Sequence, residues 1–554
     1  MTAYILLWLC AVLLICPPAA FLAGLLLQQA AAIDPPRLLH VSLLAAAVLT
    51  TALFPAGKKQ LAEMLTSCRP DRLQLGIVVC FALLVALPRC AAIGPDLPVA
   101  VYDDNWHLQK AVSVFATFPD LKHYLFPDRD LSYYFYAYMI PAAVYSIKTG
   151  LNLKAVWGAY VFTVALCVSY LLLVCFNAFL PQRGRSRLLF ALAITALGGL
   201  HEWPCIVTSW ITARPNWHTE WWATAMGLST QISSLYSTDF WAPQHACGLA
   251  LFGPVFYLLQ KTGPRIKSGL LCGLLVGIQA GFSVYVALFT GIFFLLYLAA
   301  GRCPGLKERI MSGALFGAGL AASLAPLAPR FIGQQGTLFW AANVSRVPHY
   351  LLFLAVEFGA LIILYALYAF PAADDRGRAG ADRRVHTLFI LLTCGMLFCF
   401  QSRGFNVFSY RSMLPAQVLL YWAAARSWEG TARLSPLLRR AVIAMLYVQM
   451  TGFVPELMAM TKKHLDCRSA SLRLPGDILS INSRAGFTDV FTIPYRRGIS
   501  GPALNVYLHH IFRLKDVPLR FYCEGKIDRN NLVYLNSAAI SALNAACRER
   551  RLPP

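Results

Sequence analysis

The sequence is poor in charge. Only 13% of its 554 residues are Asp, Glu, Lys or Arg, about half the share of an ordinary soluble domain. No pair of its sixteen cysteines has the C-x-x-C spacing, and no Cys/His group has the spacing of a zinc site, which argues against a cysteine-based metal centre. There is no Gly-rich phosphate loop, no internal repeat, no low-complexity linker, and no basic stretch ahead of the first apolar run. Without that stretch the first run, from Ala3 to about Leu27, reads as an uncleaved membrane span rather than a signal peptide, although Ala30-Ala31-Ala32 resembles a cleavage site.

What fills the space is apolar. Hydrophobic residues make up 58% of the chain and the mean hydropathy is +0.57. Runs long enough to cross a bilayer fall at roughly 3–27, 39–56, 73–93, 155–180, 188–211, 244–260, 268–284, 285–300, 310–328, 349–370, 385–400, 412–428 and 441–460. The pattern predicts an α-helical polytopic membrane protein with about 13 transmembrane helices over residues 1–460. Most cysteines, such as Cys167, Cys175, Cys394 and Cys399, lie inside these runs and act as small hydrophobes.

The net charge of +22 does not point to nucleic acid, because the basic residues sit in short loops between apolar runs. Six such loops are basic: Lys58/Lys59/Arg69/Arg72, Arg183/Arg185/Arg187, Lys261/Arg265/Lys267, Arg302/Lys307/Arg309, Arg376/Arg378/Arg383/Arg384 and Arg433/Arg439/Arg440. Placing all six in the cytoplasm puts the N-terminus inside. The loops at 94–154, 199–243, 329–348 and 401–411 and the tail at 461–554 then lie outside. Counting the aromatic stretch 133–147 as a span would invert every later loop, so it is expected to be an interfacial or re-entrant helix. The tail mixes short apolar stretches with Gly and Pro turns and is expected to form a small mixed α/β domain. Cys523 and Cys547 could bridge in an oxidising compartment, and free thiols are the equal alternative.

The outer loops hold the chemistry-bearing residues. Asp103 and Asp104 are adjacent carboxylates beside a membrane, where charge is costly and tends to mark function. Either can serve as a general base towards a hydroxyl, and Asp103 could equally cap the helix that begins there. His107 follows one turn on, too weak a spacing to define a metal site. The second loop carries His201, Glu202, Arg214, His218, Glu220, Asp239, Gln244 and His245 among six tryptophans. Indole faces stack on sugar C–H groups while acids and amides bind hydroxyls; an interfacial aromatic belt explains the tryptophans but not the interleaved polar groups. Arg330, Arg346 and His349 flank the third outer loop, and Arg403 and Arg411 flank the fourth. Arg411 precedes an apolar helix, so guanidinium and helix N-terminus could share one phosphate, with snorkelling to lipid headgroups the competing role.

These features together resemble the GT-C class of integral-membrane glycosyltransferases. The resemblance rests on Tyr102-Asp103-Asp104-Asn105-Trp106-His107, Leu131-Ser132-Tyr133-Tyr134-Phe135-Tyr136, Trp241-Ala242-Pro243-Gln244-His245 and Arg411-Ser412-Met413-Leu414-Pro415, and spans residues 73–430 at the level of architecture. It implies a polyprenyl-phosphate sugar donor, a glycan, lipid or protein acceptor, and inversion at the anomeric carbon. By this resemblance Asp103 is the base, with Asp104 its substitute, while Arg403, Arg411 and Arg346 meet the donor phosphate. His107, His201, Glu202, His218, Glu220, Asp239, Gln244 and His245 would bind substrate. Some members hold a divalent cation near the first loop; no clear metal cluster accompanies it here. The alternative from another class is a transporter or flippase of a lipid-linked or polar solute. Against it, the apolar runs are nearly free of acids, Glu357 being the main exception.

Overall fold

A computed structural model describes residues 2–30, 33–54, 68–91, 126–130, 135–147, 153–181, 185–200, 234–300, 305–331, 338–370, 378–402 and 407–455, with most of 107–123 and a few isolated positions. The described residues are mostly helical. Helices occupy at least part of each apolar run read from the sequence. In chain order these are α1 (Thr2–Ala30), α2 (Pro35–Leu53), α3 (Arg72–Ala91), α4 (Tyr136–Ile147), α5 (Leu153–Asn177), α6 (Arg185–Ala196), α7 (Leu235–Trp241), α8 (Pro243–Thr262), α9 (Ile266–Phe282) and α10 (Val284–Ala299). They continue with α11 (Leu306–Leu324), α12 (Val347–Phe358), α13 (Ala360–Ala369), α14 (Arg378–Cys399), α15 (Val407–Ser412), α16 (Leu414–Arg426) and α17 (Pro436–Met450).

Among the described residues, five helical segments are long and apolar enough to cross a membrane: Ala3–Gln29, Pro35–Leu53, Arg72–Arg89, Ala155–Asn177 and Pro436–Pro455. A sixth is added if α12 and α13, bent by 90° at one break, count as one span. Several other helices are shorter than their apolar runs. α6 stops at Ala196, where Gly198 and Gly199 follow, rather than running to residue 211. α4 has 12 residues, a length of about 18 Å, against a hydrocarbon core of about 30 Å.

The chain divides into two compact units. One comprises residues 1–18, 48–85 and 162–458; the other comprises 19–47, 86–161 and the tail from 459. The tail beyond residue 461, with Cys467, Cys523, Cys547 and the expected α/β domain, lies outside the described residues.

The smaller unit is held by aromatic packing. Phe21 of α1 meets Phe118, Phe135 and Tyr136 with ring centroids 6.5, 4.8 and 6.2 Å away. Gly24, one turn on, leaves room for Phe118: a Cβ there would sit 2.4 Å from its ring. A ring nitrogen of His40 on α2 is 2.9 Å from the Ala143 carbonyl of α4. Two short strands, β1 (Lys122–His123) and β2 (Phe126–Asp130), pair antiparallel.

In the larger unit, α9 and α11 run side by side at backbone contact. Gly269, Gly273 and Gly277 recur every four residues along α9 and face Ser312, Phe316 and Ser323 of α11, with Gly319 returning the contact. Small residues at this spacing let two helices approach closely where lipid supplies no hydrophobic drive. Strands β3 (Leu338–Trp340) and β4 (Phe400–Ser402) pair antiparallel, Phe339 opposite Gln401.

Candidate functional site

One end of the larger unit gathers segments that the sequence separates widely. α7 starts at Ser234, whose side chain accepts from the Ser237 N–H, and ends at Ala242; Pro243 then opens α8. That register buries Gln244 and His245 in the first turn of α8. His245 Nδ1 lies 2.8 Å from Ser283 Oγ, and Ser283 also caps α10. Gln279, one turn earlier on α9, donates its amide to the Gly248 carbonyl at 2.7 Å. On α15, Phe408 packs on Tyr285 and Phe289 of α10, at 5.8 and 6.0 Å. The half-buried Arg411 follows on the same short helix. The β3–β4 pair ties the loop expected at 329–348 to the one at 401–411. Arg346 is exposed in a 3₁₀ turn just after β3.

Three acceptor oxygens at this end are buried without a hydrogen-bond partner: Asp239 Oδ1, Gln244 Oε1 and Gln279 Oε1. Buried acceptors are normally satisfied, and leaving one bare costs about 1–3 kcal/mol. A ligand rich in hydroxyl donors would satisfy all three. Asp239, on a short helix outside the spanning segments, is only 3% exposed. Burial strips water from its carboxylate and pushes its pKa from 3.8 up to about 8.

That shift fixes a pH dependence. Across the interval the folded chain keeps a proton that the unfolded chain releases. Stability is therefore greatest below about pH 4 for this group, and falls towards pH 8 by up to ~1.4 kcal/mol per unit. Asp239→Asn keeps the neutral shape and should flatten the decline. Thermal unfolding of both proteins in detergent, at about pH 5 and about pH 8, checks this; equal declines would exclude Asp239 as the cause.

The opposite end of the same unit is chemically different. His386 is buried there, with Nδ1 2.8 Å from the Tyr368 hydroxyl and Nε2 2.7 Å from that of Tyr297 and 2.9 Å from Gln260 Nε2. Trp422 closes the group edge-on, 5.5 Å from the imidazole. These residues adjoin the basic loops. With its ring nitrogens satisfied by tyrosines and an amide, His386 reads as a structural pin.

In the smaller unit His107 is buried rather than displayed. It stacks on Trp157 at 4.9 Å and Tyr138 at 5.7 Å, and its Nδ1 is 2.8 Å from the Tyr138 hydroxyl. Lys110, a turn later, lies 5.4 Å from the centroid of the Tyr138 ring. This stack holds His107 and Lys110 against Tyr138 of α4 and Trp157 of α5.

The structure thus brings together Gln244, His245 and the segment of Arg411, with Asp239 on the adjoining helix, and describes His107 separately. Asp103, Asp104, His201, Glu202, Arg214, His218, Glu220 and Arg403 lie outside the described residues, as does the side chain of Arg330. Sequence reasoning missed Gln279 and Ser283. Both look like ordinary polar residues near the end of an apolar run, and only the α8–α9 contact gives them a role. Among the described residues no group of three His, Cys, Asp or Glu could hold a metal ion. No protein-family model, curated protein or solved structure matches the chain.

Proposed function

We propose that the chain is a membrane glycosyltransferase that moves a sugar from a polyprenyl-phosphate donor to an acceptor hydroxyl on the extracytoplasmic face. The observation carrying this reading is the assembly at one end of the larger unit: buried, unpartnered acceptor oxygens of Asp239, Gln244 and Gln279 beside the helix that bears Arg411. Bare acceptors suit sugar hydroxyls, and a guanidinium suits a phosphate. A lipid phosphate is a good leaving group, so no nucleotide site is needed. In this mechanism Asp103 takes the acceptor proton, Asp104 standing by. Arg411, Arg403 and Arg346 offset charge on the departing phosphate. Gln244, His245 and Asp239, with His201, Glu202, His218 and Glu220 of the loop before them, orient the substrates, while the buried His107 serves packing rather than binding. A divalent cation is not required by these steps.

A second reading, a transporter or flippase of a lipid-linked or polar solute, is favoured by one feature: the 90° break between α12 and α13, since interrupted helices mark transport sites. Purified protein incubated with a panel of radiolabelled lipid-phosphate sugars separates the two. Transfer of label to an acceptor supports the enzyme. Label carried across proteoliposomes unchanged, with no transfer from any donor, supports the transporter.

A further inference from the structure

Two basic loops that lie apart in the sequence meet at one end of the larger unit. α9 and α11 run parallel, since Gly269, Gly273 and Gly277 contact Ser312, Phe316 and Ser323 in rising order. Their first turns are therefore neighbours, and Ser312 Oγ donates to the Arg265 carbonyl at 3.1 Å. This places Arg265 and Lys267 of one loop beside Lys307 and Arg309 of the other. Among the described residues none of the four makes an ion pair, and Arg309 Nε is buried with no hydrogen-bond partner.

The opposing charges at this end are few. Glu308 is the one acid in the first turns of α9 and α11, and Lys261 closes α8 beside them. Asp382 of α14 reaches the same end one turn before His386, with Arg383 and Arg384 next to it in the chain. α8 and α10 end where α9 and α11 begin, as the hydrogen bond between Gln260 and Tyr297 shows. Two helix C-termini and two N-termini, each about half a charge, then offset one another. The positive excess belongs to the side chains.

A groove leads away from these cations. Arg309, Gly313 and Gly317 recur every four residues and so share one face of α11. At Gly313 a Cβ would lie 3.2 Å from Leu298 of α10, but at Gly317 it would meet nothing within 4 Å. α10 and α11 thus part after Gly313, leaving a furrow floored by the exposed Gly317, with Ile310 exposed at its mouth. We propose that this seam holds one anionic phospholipid, its phosphate against Arg265 and Arg309 and one acyl chain along Gly313 and Gly317. Guanidinium forks suit phosphate oxygens, and cations beside a membrane attract acidic lipids. A free phosphate would use the charges and leave the furrow bare. The inference does not depend on the transferase reading, because none of these residues belongs to that site.

Native mass spectrometry of the full-length protein in detergent, titrated with phosphatidylglycerol or with phosphatidylcholine of the same chains, tests it. One phosphatidylglycerol per chain is expected to bind ahead of any phosphatidylcholine. Arg265→Gln and Arg309→Gln should each weaken it about fivefold, equivalent to ~1 kcal/mol. Gly317→Leu should weaken it with every charge kept. Arg439→Gln and Arg440→Gln, exposed on α17, remove the same charge elsewhere and should leave this binding unchanged. Equal binding of the two lipids, equal losses in the α17 variants, or displacement by glycerol phosphate alone would overturn the proposal. So would a dimer that Gly317→Leu splits, because a second copy would then fill the furrow.

Discussion

Asp103→Asn is expected to abolish sugar transfer, lowering kcat by roughly 10²- to 10⁴-fold, the range a general base supplies, while membrane insertion and KM for the donor stay near their unaltered values. The amide keeps the size of the carboxylate and its capacity to cap a helix, so packing is conserved while the base is removed. Asp104→Asn should have a much smaller effect if Asp103 is the base, and removing the neighbouring negative charge should then lower the pKa of Asp103. Single-turnover rates with a lipid-phosphate donor distinguish the two positions. Full activity in Asp103→Asn would reject the assignment, and the reverse order of effects would move the role to Asp104.

Gly273→Leu should prevent the larger unit from folding. A Cβ at this position would lie 2.1 Å from the Phe316 carbonyl oxygen and 3.0 Å from Leu320 N, and these are backbone atoms that cannot rotate away. α9 and α11 would have to separate, also parting Gly269 from Ser312 and Gly277 from Ser323. Overpacking alone typically costs about 1–3 kcal/mol. Here it adds to the lost helix contact, in a protein whose net stability is of order 5–15 kcal/mol. Gly317 on α11 is the matched control, since nothing lies within 4 Å of a Cβ there. Gly317→Leu should fold normally and gain up to about 1 kcal/mol of helix propensity. Monodispersity and thermal unfolding in detergent compare the two; equal behaviour would show that the glycine seam carries no packing.

The apolar runs made the helices legible, because burial in lipid or protein demands the same composition along a whole segment. Lengths were less legible. α6 reads as apolar well past Ala196, yet Gly198 and Gly199 end it, and hydropathy does not register backbone freedom. The bend at Gly359 was hidden for the same reason: the run 349–370 is continuous in hydropathy, and the groups that satisfy the broken backbone, the Leu200 N–H and the Gln449 side chain, come from distant parts of the chain. At the candidate site, Gln244 and His245 were visible as polar residues opening an apolar helix. Their partners Ser283 and Gln279 were not, since a hydrogen bond between distant helices leaves no local pattern. The β3–β4 pair is too short to show the alternation that marks a strand.

The account depends on which water layer the polar loops occupy, and labelling of single cysteines with a membrane-impermeant maleimide in intact cells tests it most directly. In a chain whose accessible native cysteines are replaced by serine, Asn105→Cys, Thr219→Cys and Gly404→Cys should label from outside. Gly184→Cys and Gly430→Cys, beside the basic loops, should label only after the membrane is permeabilised. If the first three positions divide between the two sides, no single substrate could meet the paired carboxylates, the tryptophan-rich loop and Arg411, and the transferase reading would be contradicted.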